Sequence, residues 1–357
     1  MLTARHLGLA AVVVMLLAGA IYAQGAPAER LSLWPSAIQI NPKHPNVLYA
    51  STLGDDRREG GVYKSTDAGK TWSLADTGLT NPASPTDSED LRVDALALDP
   101  RSPNVLYAGT GLGVFKTTDG ARTWTLASTG IDLGGGLAHR MYEGFIWAIA
   151  IDPLHTSTVY AAGGGVWKST NGGASWKRVL RNGAVNLGID PRRPETVYAS
   201  GMKSWGSGAT RNSVYKTVDG GGSWRATGPR GLSDNYFGHP IVVHRRAPGT
   251  VYAGGSRGLF ASTNQGRTWR KLRSTSAPER VDAIALDPLR ANVLYAGGWE
   301  TGLVKSEDGG LTWSRLSLDM RYVQTIAIDP TRPQTIYAGG AGIGKSTDGG
   351  DSWHRLG

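Results

Sequence analysis

The chain of 357 residues contains no cysteine. That excludes a disulfide framework, thiol catalysis and the attachment residue of a bacterial lipoprotein, so stability must come from packing and closure. Phenylalanine is scarce at 4 residues, whereas tryptophan and tyrosine number 12 and 13. Beyond residue 23 there is no long apolar run and no sustained helical periodicity, which argues against a later spanning helix and against a helical bundle. No G-x-S-x-G elbow occurs for a serine hydrolase. The formal charge of +9 is not gathered into one block, so nucleic acid is not an expected partner. A basic chain of this kind favours acidic glycans, anionic lipid headgroups or acidic protein surfaces.

What the chain has in excess is glycine, 50 residues of it, and repetition. The phrase Ser65 to Trp72 (STDAGKTW) returns ending at Trp124, Trp176, Trp224, Trp269, Trp313 and Trp353, at intervals falling from 52 to 40 residues. A period of that length points to an array whose unit is about one four-stranded sheet. Each copy has Ser or Thr two places before Asp67, Asp119, Asn171, Asp219, Asn264, Asp308 or Asp348, and Ser or Thr four places after. A short side-chain oxygen accepts backbone N–H groups inside its own turn, the upstream hydroxyl does the same, and glycine permits positive φ. In the second copy Ala121 follows Gly120, and a distorted turn is expected there. Alternating segments flank each turn (VYKST before, TWSLA after), so each copy reads as a hairpin with its Trp packed on a neighbouring sheet.

The phrase resembles the Asp-box, or BNR, repeat of sialidases, xyloglucanase-type endoglucanases, sortilin-type receptors and the photosystem II stability/assembly factor family. The resemblance runs from about residue 36 to the end and implies a β-propeller. In those families the box is a structural turn whose owners do unrelated things. The sialidase Phe/Tyr-Arg-Ile-Pro signature is missing, and so are the cysteine-rich modules of sortilin-type receptors. The xyloglucanase likeness is closer in texture, although those enzymes set their acids between two propellers and this chain has room for one. The assembly-factor likeness implies a single propeller that holds a client protein by an arginine patch.

Each unit also has a front half, an apolar run ending in Asp-Pro or Asn-Pro followed by a second run, as in ALALDPRSPNVLYA. The fifth copy has His244-Arg245 in place of that pair. The expected fold is all-β, a single seven-bladed β-propeller of four-stranded antiparallel blades (a-b-c-d) with Asp-boxes between strands c and d. In such a meander the a–b and c–d turns share one rim, and the b–c and d–a connections share the other. Nearly all insertions fall in the second class: 52–60 and 200–212 between b and c, and 76–92, 127–145 and 227–239 between d and a. Variable loops on a rigid scaffold are where binding is expected.

Those loops supply the candidates. Arg57, Arg58, Arg140, Tyr142, Trp205, Arg211, Tyr236, His239, Trp299 and Arg321 are the ligand-binding set, with Arg280 entering beside them. Aromatic faces beside charged groups suit a sugar or a protein surface alike. For hydrolysis, two carboxyl groups about 5–5.5 Å or about 6.5–9.5 Å apart are needed, and Asp55, Glu143, Asp234 and Glu300 are the acids to test. The motif from Gly339 to Ser346 matches a phosphate loop but lies in a strand slot before an Asp-box, so it reads as a chance match. One carboxylate per box falls short of the about six to eight oxygens that calcium takes, and His239 and His244 point to opposite faces of a strand, so no metal is expected, nor a cofactor.

Residues 1–23 carry Arg5 and His6, an apolar run and small residues at the end, the pattern of a cleavable export signal. Residues 24–35 form an N-terminal segment in which Leu31 to Trp34 is a candidate ring-closing strand, and 36–357 form the propeller. The expectation is a secreted or periplasmic monomer with no membrane span after cleavage. It binds a protein client or a glycan without catalysis, and glycoside hydrolysis is the alternative.

Overall fold

The computed structural model describes residues 34–53, 60–80, 92–132, 145–201, 214–228, 232, 240–274 and 277–356. They form seven four-stranded antiparallel sheets, each with its strands in sequence order, and no helix occurs among them. Blade 1 comprises β1 (Pro35–Ile40), β2 (Leu48–Thr52), β3 (Gly61–Ser65) and β4 (Ser73–Leu74). Blades 2 to 7 begin at strands Val93–Leu98, Ala148–Ile151, Ala184–Ile189, Ile241–Val243, Ala283–Leu286 and Val323–Ile328.

Burial explains why the strands differ in composition. Strand b is buried at every position in all seven blades, so it reads as an unbroken run of Leu/Val-Tyr-Ala and small residues. Strand d, the outer edge, is only two residues long in five blades, and both are exposed. Shortness blunts an edge that would otherwise template aggregation.

The core is divided among the joints between blades. Each of seven apolar clusters straddles one joint, for example Tyr49 and Val62 of blade 1 with Leu106, Phe115 and Trp124 of blade 2. Ile38, Leu48 and Ala50 meet Tyr337 and Ile343 in the same manner, joining blade 1 to blade 7. Each large side chain withdrawn from water there contributes roughly 1.5–3 kcal/mol. The ring therefore closes by face packing, with each terminal blade keeping its own four strands. Of the expected clasp only Trp34 is described, and it precedes β1, whose partner is β2 of its own blade.

Polar contacts stitch the same joints. At four joints the strand-b tyrosine and strand-c lysine of one blade donate together to an Asp-box carbonyl of the next. Tyr107 Oη and Lys116 Nζ lie 3.0 and 2.7 Å from Gly172 O, and Tyr337 Oη and Lys345 Nζ lie 3.2 and 3.1 Å from Ala68 O across the closing joint. Lys116 Nζ also sits 5.5 Å from the Tyr107 ring. The recurrent Tyr and Lys of VYA and VYK are thus joint residues.

The Asp-boxes form as expected. Ser65 Oγ donates to Asp67 Oδ1 at 2.8 Å and accepts from Gly69 N at 2.8 Å, while Asp67 accepts from the Thr71 N–H at 2.9 Å and the Thr71 hydroxyl at 2.6 Å. Those bonds, the Thr71 hydroxyl first, hold the Asp67 carboxyl down at about 2. Each box also binds the a–b turn of its own blade, as in Gly120 N to Asn104 O at 2.9 Å, which puts both turn classes on one rim. The second box is not distorted. Ala121 adopts φ 66° in the glycine slot and keeps the bond from its N–H to Thr117 Oγ1 at 3.2 Å, so the hydrogen-bond frame overrides the left-handed penalty. The box tryptophans are buried at 124, 176 and 313 and half-buried at 72, 224, 269 and 353. Trp124 Nε1 donates to Ala75 O of the preceding blade at 2.8 Å, whereas Trp72 Nε1 donates to Gly69 O in its own box at 3.0 Å.

The phosphate-loop match spans strands Ile336–Gly340 and Gly342–Ser346, with no helix to gather N–H groups on an anion.

Candidate functional site

The rim opposite the Asp-boxes is where strand b passes to strand c and strand d to strand a of the next blade, the b–c and d–a connections. Asp55, Arg57, Arg58, Arg140, Tyr142, Glu143, Trp205, Arg211, Asp234, Tyr236 and His239 lie in those connections, outside the described residues. Trp299, Glu300, Arg280 and Arg321 are described.

Trp299 and Glu300 form the b–c turn of blade 6, between strands Leu294–Gly298 and Gly302–Ser306. Glu300 takes φ 57°, which turns the chain tightly enough to present Trp299 at 39% exposure. The Trp299 indole meets the Tyr322 ring at 5.4 Å and 55°, and the two residues form an isolated antiparallel bridge. Trp299 N donates to Asp282 Oδ2 at 3.2 Å, and Arg280 Nε pairs with the same carboxylate oxygen at 3.0 Å. Burial raises the Asp282 carboxyl, and the Arg280 charge offsets part of that rise. Burial also pushes the Tyr322 phenol up. Arg321 is exposed beside this cluster.

Blade 2 holds a second cluster at the matching positions, seven and five residues before the Asp-Pro turn. Arg92 Nε lies 2.7 Å from Asp94 Oδ1, and the guanidinium lies 5.6 and 5.3 Å from the Phe145 and Trp147 rings. Those rings are 5.4 Å apart. Asp94 sits where the register shifts between Val93 and Ala95, an irregularity that re-aims a side chain at the start of a strand. At the same shift in blades 1 and 7, Ser36 Oγ donates to Val93 O at 2.7 Å and Gln324 Nε2 to Pro35 O at 2.8 Å, so this position faces the next blade. A carboxylate there has no proton to give. Asp94 Oδ2 is buried without a partner, its side chain is 4% exposed, and burial raises its pKa to about 6 against the pull of Arg92.

Asp94, Asp282, Phe145, Trp147 and Tyr322 were not among the sequence candidates. The recurring phrases LRVDAL and ERVDAI at the head of strand a, each followed one blade later by an aromatic residue, were the available signal. Among the described residues the rim thus presents two arginine–carboxyl–aromatic clusters, on blades 2 and 6. Rings that pack against apolar sugar faces and charged groups that bond hydroxyls make such clusters competent for carbohydrate, and equally for arginine- or tyrosine-anchored protein contact. No group of three potential metal ligands occurs among the described residues.

Comparison with known proteins agrees with this architecture. The BNR/Asp-box repeat family matches residues 63–74. A xyloglucanase from Paenibacillus sp. is 25% identical over 332 residues, which cover 78% of this chain and 31% of the relative. The chain spans about a third of the length of the curated relatives it matches. Among solved structures, the GH74 xyloglucanase from Xanthomonas campestris superposes with a TM-score of 0.67 at 20% identity, over 90% of this chain and 52% of that one. YCF48 bound to D1 peptide superposes with a TM-score of 0.61 at 15% identity, over 90% of this chain and 96% of that one. With repeat, blade count and structural neighbours in agreement, the chain carries a BNR/Asp-box repeat match at residues 63–74 and folds as a seven-bladed β-propeller.

Proposed function

We propose that the protein acts outside the cytoplasm on a polysaccharide of the xyloglucan class, as a glycoside hydrolase, through the rim that carries the b–c and d–a connections. One observation carries the reading: two arginine–carboxyl–aromatic clusters occupy that rim in a chain that aligns over 78% of its length with xyloglucanases. Trp147 and Trp299 supply ring faces for sugar, and Arg92 and Arg280 donate to hydroxyls. The hydrolytic acids belong to the set Asp55, Glu143, Asp234 and Glu300, and residues 1–23 direct export. The test is release of reducing ends from xyloglucan by the full chain and by each acid-to-Ala variant. Loss of release in two of the four variants, with unchanged melting, supports the reading. No release by the parent protein rejects hydrolysis.

A second reading rests on a different observation. YCF48, whose structure holds a D1 peptide, is matched over 96% of the solved chain, so the likeness in fold extends over nearly all of it. A non-catalytic scaffold that holds a protein client on the same rim would retain a client peptide while leaving xyloglucan intact.

A further inference from the structure

The Asp-box rim has a surface chemistry of its own. Each a–b turn begins with a residue whose side chain is turned inward to bond the turn, and the residues that follow point outward. Asp99, Asp152, Asp190, Asp287 and Asp329 are 1–6% exposed, so the carboxylates are withdrawn from the surface. The outward positions are basic in six blades: Lys43, Arg101, Arg192, Arg245, Arg290 and Arg332 are all exposed, and blades 4 and 5 add a second arginine each. Glu195 is the one exposed acid in these seven turns, all of which are described, and the Asp-boxes on the same rim add the exposed acids Asp219, Glu307 and Asp351 and the half-buried Asp67, Asp119, Asp308 and Asp348 against the exposed Lys70, Arg122 and Arg267. Arg193, Arg290 and Arg332 pair with Asp190, Asp287 and Asp329 of their own turns, so the excess of cations rests on Lys43, Arg101, Arg192, Arg245 and Arg246.

These turns are contiguous around the ring. Lys43 Nζ donates to Arg101 O of the next turn at 2.6 Å, Arg101 Nε to Pro153 O of the one after at 3.1 Å, and Arg246 Nε to Pro288 O at 2.8 Å. Each contact leaves most of the cation's donors free.

Between the cations the same rim exposes apolar side chains. Leu154 and Leu289, in the a–b turns of blades 3 and 6, are 40% and 50% exposed, and Val218 and Leu311, in the boxes of blades 4 and 6, are each 52% exposed. Four of the seven large apolar side chains exposed among the described residues therefore lie on this rim. Both turn classes are nearly constant in length.

We propose that this rim docks on an anionic lipid bilayer, the basic turns meeting headgroup phosphates and Leu154, Val218, Leu289 and Leu311 entering the interface. A rim with an excess of exposed cations and interspersed aliphatic tips suits an anionic surface, because surface potential attracts each unpaired Lys or Arg and apolar tips gain by partial burial. Bound in this way, the protein points its b–c and d–a rim away from the bilayer. The inference does not depend on what that rim binds.

The test is co-sedimentation of the full chain with vesicles of phosphatidylglycerol and phosphatidylcholine (3:1) and of phosphatidylcholine alone, in 50 and 500 mM NaCl. The N-terminal apolar run is common to every protein compared and sets a baseline independent of charge. Binding to the anionic vesicles is expected to exceed that to the neutral ones and to fall at high salt. The double variant Arg192→Ser, Arg245→Ser removes two cations and is expected to weaken anionic-vesicle partitioning roughly 20-fold, about fivefold per charge. Leu154→Ser with Leu289→Ser, at positions too exposed to support the fold, is expected to weaken it severalfold and keeps the test valid if the arginine variant fails to fold. Equal partitioning to both vesicle types, or unchanged partitioning of the leucine variant, overturns the proposal. Retention on polygalacturonate without vesicle binding assigns the rim to acidic polysaccharide instead and also overturns it.

Discussion

Blade 5 departs from its siblings at one residue, and the departure makes the fold sensitive to pH. Asp99 Oδ1 accepts from Arg101 N and Ser102 N at 2.8 and 3.0 Å, and the same pair of bonds recurs in blades 1, 3, 4, 6 and 7. In blade 5 the acceptor is His244 Nδ1, 3.0 Å from Arg246 N and 3.2 Å from Ala247 N, and the residue is 3% exposed. Nδ1 accepts only while it carries no proton. Burial holds the His244 pKa below the ordinary histidine value, with Asp287 pulling up and Arg246 pushing down. The contribution of neutral His244 is therefore complete above the unfolded-state value near ~6.5 and is lost as pH falls through the lower folded-state value. Protonation removes two backbone bonds worth about 0.5–1.5 kcal/mol each, so the loss is ~2 kcal/mol. At ~2 °C per kcal/mol for a domain of this size, that is ~4 °C. His244→Asp installs the carboxylate of the other turns, which stays ionised through the same range. Melting followed by tryptophan fluorescence at pH 7.5, 6.5, 5.5 and 5.0 is expected to show the variant gaining on the parent protein by about 4 °C as pH falls. A gap that is constant with pH would refute the assigned role of Nδ1.

Three further outcomes are expected. Asp94 carries the opposite sign, because its pKa is raised to about 6. The native state holds that proton more tightly than the unfolded chain, so the parent loses stability as pH rises from ~4 to ~6. Asp94→Asn is expected to flatten that part of the pH–melting curve, and an unaltered curve in the variant rules the assignment out. Tyr107→Phe leaves Gly172 O with its Lys116 bond and is expected to cost about 1 kcal/mol, whereas Tyr107→Phe with Lys116→Met strips the carbonyl of both donors and is expected to cost more than the sum of the single changes. A strictly additive cycle in urea unfolding contradicts the joint as described. Gly78→Ala would place a methyl group directly onto the Trp124 carbonyl oxygen, at φ +87°. A loss of at least ~2 kcal/mol with altered Trp124 emission is expected, and an unperturbed melt denies that the segment 75–78, whose Ala75 and Thr77 carbonyls accept from Trp124 Nε1 and N, holds the blade 1–2 joint.

The architecture was legible because each blade states the same hydrogen-bond frame. Ser65, Asp67, Gly69 and Trp72 do the same jobs as their counterparts in the other boxes, so spacing alone located the turns, the strand order and the two rims. The joints were harder to read. Tyr107 and Lys116 are strand residues whose recurrence also fits ordinary burial and exposure, and only the path of the next blade reveals a shared carbonyl at Gly172. The expected distortion at Ala121 failed for a related reason, since five bonds to Thr117 and Asp119 fix that turn regardless of the local φ preference. On the loop rim, attention to the long insertions favoured Arg57, Glu143 and Trp205 and passed over Asp94 and Asp282. Those two acids belong to strand heads, where a carboxyl group fits as one polar residue in an alternating run. What separates Asp94 from Ser36 and Gln324 is the absence of a proton to donate to the next blade, a distinction that appears only once the facing carbonyls are placed.

The most direct test of the account is electrophoretic retention of the native protein in gels containing xyloglucan, comparing the parent with Trp147→Ala, Trp299→Ala and the pair. Retardation of the parent, a partial loss for each single change and free migration of the double variant, all with unchanged melting, are the predicted results. Equal migration of the parent with and without xyloglucan, or equal retardation of the double variant, would contradict the claim that the b–c and d–a rim engages this polysaccharide.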